Sequence, residues 1–227
     1  MKKAIVAIIV MLAVGAATSA TSDPITTLFN TGGIPGTPSA HWTLNGGPIY
    51  VTSPGFPSPP WLANDATSQW ISPQASYPNL GSDPASTHFL FSTQFEVPVG
   101  YDPATASFKM RAATDNQLLQ VWLNGTVLGF SWINPVDTYA SFTGFSPYYT
   151  VTGLKLGENS LAFDVLNIPQ PYPGNIGNPA GLRVEFTDSN MTLDSIFIES
   201  VPEPASLVLL GTGIVGLAMA ARRRVRK

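Results

Sequence analysis

Apolar and polar residues alternate in short runs along most of this chain, with a period of two. Between His88 and Val97, the side chains of Phe89, Phe91, Phe95 and Val97 fall on one face. Successive side chains of a β-strand point to opposite faces, so this pattern is typical of a half-buried strand. Similar runs occupy residues 49–52, 108–112, 118–123, 126–130, 148–151, 161–165, 182–187 and 191–198. The pattern predicts an all-β fold, an antiparallel β-sandwich of about eight or nine strands.

Asn124 and Gly125 stand between two of these runs and predict a hairpin. Both residue types tolerate a positive φ, which the two central residues of a type I′ turn require. We therefore expect the run that ends at Leu123 to pair with the run that starts at Thr126.

The first twenty residues have the three regions of a secretory signal peptide. Lys2 and Lys3 precede an apolar run at 4–14, and small residues follow at 15–20. About 11 apolar residues are too few for a lasting membrane span. We therefore assign residues 1–20 to a cleaved signal helix, with cleavage after Ala20.

A second uncharged run, residues 205–221, predicts a C-terminal transmembrane helix. Its 17 residues would rise about 26 Å at about 1.5 Å per residue, just enough to cross the hydrocarbon core of a bilayer. Five of the last six residues are Arg or Lys, and such residues stay in the cytoplasm. The preceding body of the chain is therefore expected outside the cytoplasmic membrane.

Val201, Pro202, Glu203 and Pro204 precede that run. Proline fixes φ and disfavours helix in the residue before it, so this segment is predicted to be extended, as a processing enzyme requires. Together with the apolar run and the basic end, residues 201–227 resemble the PEP-CTERM sorting signal of exported bacterial proteins. The resemblance implies recognition by an exosortase, a membrane-embedded transpeptidase-like enzyme, after Sec-type export. A simple tail anchor is the alternative.

Residues 21–200 are long enough for one domain with a sizeable core, without disulfide bonds. The chain has no cysteine, which excludes cysteine nucleophiles and thiolate metal sites. All 14 acidic residues lie between Asp23 and Glu203. The same part of the chain has four basic residues, Lys109, Arg111, Lys155 and Arg183, so its net charge is −10. Such a body would repel phosphate backbones, so nucleic-acid binding is not expected.

Several sequence blocks of the body resemble those of galactose-binding-like jelly-roll domains. The resemblance covers about residues 49–187 and implies a jelly-roll scaffold, which frequently holds sugars on the loops at one end. The blocks are Trp70-Ile-Ser-Pro73, Ala113-Thr-Asp-Asn116, Val121-Trp-Leu-Asn-Gly125, Gly157-Glu-Asn-Ser-Leu-Ala-Phe163 and Pro179-Ala-Gly-Leu-Arg-Val-Glu185.

The sequence offers little support for catalysis. It lacks a Gly-x-Ser-x-Gly turn, a His-Glu-x-x-His pair and a phosphate-binding loop. His88 is expected to be an exposed structural residue, whereas His41 stays open as a base without an evident partner. The acidic residues lie mostly in turns, where solvated side chains are the usual outcome. Calcium is an additional candidate ligand, with Asp23, Asp65 and Asp188 as candidate donors.

Aromatic residues give the remaining indication of function, because sugar rings stack on flat aromatic faces. Trp70 and Trp122 are assigned to the core, where large aromatics dominate. We hypothesise that five other residues form a glycan-binding site on the loops at one end of the sandwich. Its members are Trp61, Tyr77, Asp115, Asn116 and Asn167.

We therefore expect a non-catalytic protein of the cell surface or extracellular matrix that contacts polysaccharide. Two alternatives stay open at this point. One is a secreted glycan-active hydrolase on the same scaffold, and the other is a structural coat protein without a ligand.

Overall fold

A computed structural model describes residues 22–76, 86–169 and 178–194 of the chain. The predicted signal peptide at 1–20, the glycan-site candidate Tyr77 and the segment 201–227 lie outside these ranges. The described residues form eleven strands: β1 (Ser22–Asp23), β2 (Pro38–Leu44), β3 (Gly47–Val51), β4 (Ile71–Ser72), β5 (Thr87–Val97), β6 (Tyr101–Asp115), β7 (Gln117–Leu123), β8 (Thr126–Val127), β9 (Tyr149–Val151), β10 (Gly157–Asn167) and β11 (Gly181–Leu193). Nothing in the described ranges forms a helix with the length and apolar character that a membrane span needs.

The strands form one antiparallel hydrogen-bonded path, in the order β8-β7-β10-β5-β2-β3-β4-β11-β6-β9, with β1 added to β11. The path folds back at β2 and β3, so that its two halves face each other. Ring contacts connect the two halves: Phe95 packs edge-on against Phe108 with centroids 5.5 Å apart, and Trp42 stacks near Phe186 at 6.2 Å. The predicted all-β antiparallel fold is confirmed, and these packed halves make a β-sandwich.

Alternate residues of the long strands supply the core between the two sheets. In β10, the inward positions Leu161, Phe163 and Val165 are fully buried, and Asn159 and Asn167 cap this row at its two ends. The facing row of β6 contains Phe108 and other buried apolar residues. The period-two pattern of the sequence therefore corresponds to the observed inward faces.

Two Asn-Gly hairpins connect neighbouring strands. Asn124 and Gly125 have φ values of 52° and 81°, and Leu123 pairs with Thr126, which confirms the predicted turn. Asn45 and Gly46 form a second such turn between β2 and β3, with φ values of 48° and 78°. The sequence analysis did not identify this second hairpin.

Strand number and bounds differ in part from the sequence predictions. The short strands β1 and β4 and the longer β2 were not predicted, and the run at 126–130 forms a strand only over Thr126–Val127. Trp122, which was assigned to the core, is half-buried and belongs to neither apolar cluster, because it lies on the outer face of its sheet. The assignment of Trp122 to the core was therefore wrong, whereas Trp70 is fully buried.

Loops cover the outer face of the sheet that contains β6 and β11. Trp70, Ala113 and Phe142 form a second apolar cluster there, with Trp61 and Phe145 packed against it. Trp61 lies 4.6 Å from Trp70 and 5.4 Å from Phe142 between ring centroids. The long connections before β4 and before β9 therefore have a small core of their own.

The two ends of the sandwich hold different groups of residues, and we call them the terminal pole and the crossover pole. The terminal pole holds Ser22, the β5–β6 turn with Val99, the start of β10 and Leu193. The crossover pole holds Asp115, Asn116, Gln117, Asn167 and Gly181, where the chain passes from β6 in one sheet to β7 in the other.

Candidate binding sites

Four of the five residues predicted for glycan binding come together at the crossover pole. Asp115 pairs with Gly181 across β6 and β11, and a Cβ atom at Gly181 would lie 3.2 Å from the ring of Trp61. The Asn116 N–H donates to the carbonyl of Leu166, one residue before Asn167. The position of the fifth residue, Tyr77, lies outside the described residues.

The polar side chains of this group are buried. Asp115, Asn116 and Asn167 are 2%, 0% and 1% exposed. Asn116 is fully engaged with the protein: its amide nitrogen donates to the carbonyl of Tyr139 at 2.8 Å, and its Oδ1 accepts from the N–H of Ile168 at 2.6 Å. These residues therefore form an internal polar layer, and their contact with a glycan stays a prediction.

Several polar atoms in this layer have no hydrogen-bond partner among the described residues. They are Thr114 Oγ1, Asp115 Oδ1, Asn167 Oδ1 and Asn178 Nδ2. A buried donor or acceptor that stays without any partner costs about 1–3 kcal/mol.

Burial raises the pKa of the Asp115 carboxyl well above its ordinary value of 3.8. The cause is loss of solvation, since no ion pair within the described ranges includes this residue. Loss of solvation disfavours the charged form of a carboxyl group relative to its neutral form.

A buried ion-pair network on the outer face of the same sheet was missed by the sequence analysis. Arg183 is fully buried, and its Nε donates to Ser68 Oγ at 2.7 Å. The Ser68 hydroxyl donates to Glu185 Oε1 at 2.8 Å, and Arg183 Nη1 also donates to the carbonyl of Ala63. Arg183 Nη2 lies 2.6 Å from Asp65 Oδ2. The guanidinium thus connects the loop before β4 to the sheet.

Arg111 completes this network from the neighbouring strand. Its Nε donates to Glu185 Oε2 at 2.8 Å, and its guanidinium lies 4.2 Å from the ring centre of Phe145. Arg183 lies 5.0 Å from the same ring. The loop before β9 is therefore also attached to the sheet, because its Phe145 ring contacts both guanidinium groups.

The three carboxylates proposed as calcium donors each have a protein partner. Asp23 Oδ2 accepts from the Tyr101 hydroxyl at 2.8 Å, and Asp188 pairs with Lys109 at 2.9 Å. Partial burial tends to raise the pKa of Asp65, but the N–H groups of Ser68 and Thr67 and the Arg183 guanidinium outweigh it and lower that pKa. No group of three or more His, Asp or Glu side chains that could hold a metal ion occurs among the described residues.

The two histidines lie on the outer surface. His88 is exposed and its Nδ1 lies 2.9 Å from Asp164 Oδ1, which confirms the expected exposed position. His41 stacks on Phe29 with ring centroids 3.7 Å apart, and its ring makes no hydrogen bond or ion pair within the described part of the chain. A histidine with these contacts lacks the orienting carboxylate that activates a general base.

A concave region crosses the outer face of β2, β5 and β10, and we call it the sheet-face trough. It has a volume of about 790 Å³. Thr43 pairs with Ser92, and Ser92 with Ala162, so three small side chains lie side by side across its floor. Its other polar side chains are those of Ser39, His41, Gln94 and Ser160, and none of the residues that line it is Asp, Glu, Lys or Arg.

The C-terminal segment matches a known family model. Residues 200–224 match the PEP-CTERM protein-sorting motif. The motif indicates an exported bacterial protein that has a C-terminal membrane anchor before an exosortase processes it. The predicted motif Val201–Pro204 lies within this match. Comparison with curated proteins gives no match.

Solved structures provide only distant likenesses. A β-glucosidase from Kluyveromyces marxianus is 10% identical over 47% of this chain and 12% of that chain, with a TM-score of 0.30. A cycloisomaltooligosaccharide glucanotransferase from Paenibacillus sp., complexed with cycloisomaltoheptaose, is 10% identical over 78% of this chain and 18% of that chain, also at 0.30. The chain thus spans less than a fifth of either protein, and likenesses at this level carry no argument about function.

We expect Arg183→Met to lower the free energy of unfolding by about 3 kcal/mol, because removing one partner of a buried ion pair leaves the other uncompensated. Urea unfolding monitored by tryptophan fluorescence measures the loss. Lys109→Met is the matched control, since its pair with Asp188 is exposed, and it should change stability little. Equal effects of the two substitutions would show that the buried network does not hold the loops.

We expect the stability of the wild type, relative to Asp115→Asn, to fall as pH rises from about 4 towards 8. The folded-state pKa of Asp115 is raised, so the folded protein holds this proton more tightly than the unfolded chain does. Urea midpoints at several pH values measure the trend, with Asp102→Asn, a half-buried position near the other end of β6, as control. An increase in the stability of the wild type relative to the variant as pH rises would mean that the Asp115 carboxylate has a compensating partner.

Proposed function

We propose that this is a non-catalytic protein of the bacterial cell surface or extracellular matrix, and that its domain binds neutral polysaccharide. The match of residues 200–224 to the sorting motif supports the proposed location at the cell surface or in the matrix. The scaffold we propose is a galactose-binding-like jelly roll, which agrees with an antiparallel sandwich and with the sequence blocks at 49–187.

The proposal of polysaccharide binding rests on the composition of the sheet-face trough. Polysaccharide chains present many hydroxyl groups and no charge unless they contain acidic sugars. The trough offers short hydroxyl and amide side chains from Ser39, Thr43, Ser92, Gln94 and Ser160, without any Asp, Glu, Lys or Arg side chain. The half-buried Trp122 lies beside Ala162 at its margin, where a flat ring can stack on a sugar.

The crossover pole is the second candidate, favoured by side-chain atoms of Thr114, Asp115 and Asn167 that find no partner in the described ranges. Sugar hydroxyls both donate and accept hydrogen bonds, so they could satisfy such atoms. Their burial means that a ligand must first displace covering residues. The sheet-face trough requires no such rearrangement, and we therefore rank it first.

We expect Glu203→Gln to leave the protein in the cytoplasmic membrane, because we propose that the exosortase recognises the Pro-Glu-Pro segment of the sorting motif. Fractionation of cells followed by immunoblotting measures release. Glu199→Gln is the matched control, since it removes a nearby charge outside the motif. Normal release of the Glu203 variant would reject this role of the motif.

We expect Ser92→Tyr to weaken polysaccharide binding by at least about tenfold, because the larger ring fills the floor of the trough. Affinity electrophoresis in gels containing dextran, xylan or galactomannan measures binding, and polygalacturonate provides an acidic comparison. Thr150→Tyr, at an exposed position on β9, is the matched control.

The outcomes separate the candidates. Weakened binding in Asp115→Asn or Trp61→Leu alone would move the site to the crossover pole. Turnover of any polysaccharide would contradict a non-catalytic role and favour the hydrolase. Absence of binding to all four polymers would reject binding of these glycans and favour a structural coat.

A further inference from the structure

Both ends of the described domain leave it at the terminal pole. At the N-terminus, Ser22 and Asp23 of β1 pair with Thr192 and Met191 of β11. At the C-terminus, the N–H of Asp194 donates to the carbonyl of Gly100 at 2.8 Å, directly after β11 ends. The two exits are therefore neighbours in space.

A side-chain contact holds the first of these exits in place. The Tyr101 hydroxyl donates to Asp23 Oδ2 at 2.8 Å and connects β1 to the start of β6. The N-terminal strand is thus fixed to the same strand pair as the C-terminal exit, and not to a separate part of the fold.

A short connection leads from the C-terminal exit to the predicted membrane helix. Nine residues lie between Asp194 and Pro204, and these ten Cα–Cα steps span at most about 36 Å when fully extended. At the N-terminus, the predicted cleavage after Ala20 leaves Thr21 as the residue before β1. While the predicted helix is in the membrane, the bilayer surface therefore lies within about 36 Å of the C-terminal exit.

The crossover pole lies at the opposite end of the same strands. Strand β6 contains 15 residues between Tyr101 and Asp115 and spans roughly 45 Å at about 3.3 Å per residue. The loop with Val136 and Tyr139 belongs to this far end, because the carbonyls of Thr138 and Tyr139 accept from the side chains of Gln117 and Asn116.

We propose that in the membrane-anchored precursor the terminal pole contacts the bilayer surface and the crossover pole points away from it. Exposed apolar side chains at the terminal pole fit this partner: Val99 is 74% exposed, Leu156 48% and Leu193 42%. Lys155 adds a cation beside Leu156.

Acidic groups at the same pole limit how deep this contact goes. Glu96 and Glu158 pair directly across β5 and β10, and Asp102 lies at the start of β6. Carboxylates stay at the aqueous boundary, so the contact is shallow and weakens over anionic lipid.

The absence of cysteine from the sequence allows a direct test by site-specific labelling. Single substitutions Val99→Cys, Val127→Cys and Val136→Cys place one thiol at the terminal pole, midway and at the crossover pole. Each full-length variant is produced in exporting cells without exosortase, and membrane vesicles are labelled with an environment-sensitive thiol dye. Phosphatidylcholine bearing a headgroup spin label is then added as the quencher.

The expected order of quenching is Val99, then Val127, then Val136, with the first at least about threefold above the last. Thermal unfolding of each variant shows that its fold is kept, and a variant that has lost its fold is replaced by the same change at Leu156 or Tyr139. Equal quenching at all three positions, or the reverse order, would overturn the proposed orientation. The measurement requires no polysaccharide, so its result is independent of the proposed ligand.

Discussion

The buried guanidinium of Arg183 is the interaction on which the outer layer of this domain depends. A charge removed from water is tolerated only when hydrogen bonds and opposite charges surround it. Here Ser68, Asp65, Glu185 and the carbonyl of Ala63 provide those partners. Because three of these partners belong to the loop before β4, that loop cannot leave the sheet without exposing an uncompensated cation.

The body contains 14 acidic and four basic residues, and ion pairs occupy three of those four bases. Arg111 forms an ion pair with Glu185, and Arg183 forms one with Asp65. Lys109 forms an ion pair with Asp188. Glu96, Asp137 and Glu158 are exposed carboxylates within the described part of the chain. A domain with such a surface resists association with anionic polymers, and an uncharged trough is consistent with a neutral ligand.

The fold class could be predicted because period-two alternation reports directly on strands with one buried face, as in β5 and β10. Strand β2 was missed although Ala40, Trp42 and Leu44 alternate with polar residues, since the surrounding Gly and Pro residues suggested a loop. Arg183 and Glu185 alternate with the apolar residues Leu182, Val184 and Phe186, yet loops distant in sequence bury them as well. The trough could not be predicted, because its floor depends on the register of Thr43, Ser92 and Ala162 in three strands. The burial of Asp115, Asn116 and Asn167 depends equally on the crossing of the chain between sheets.

The C-terminal motif marks this acidic domain for export and processing. The match to the sorting motif at 200–224 gives the apolar run at 205–221 the role of a membrane anchor that precedes sorting. Mass spectrometry of the mature protein from the cell surface tests this most directly. The account predicts a C-terminus near Pro202–Pro204 that lacks residues 207–227, whereas a surface protein still ending at Lys227 would contradict it.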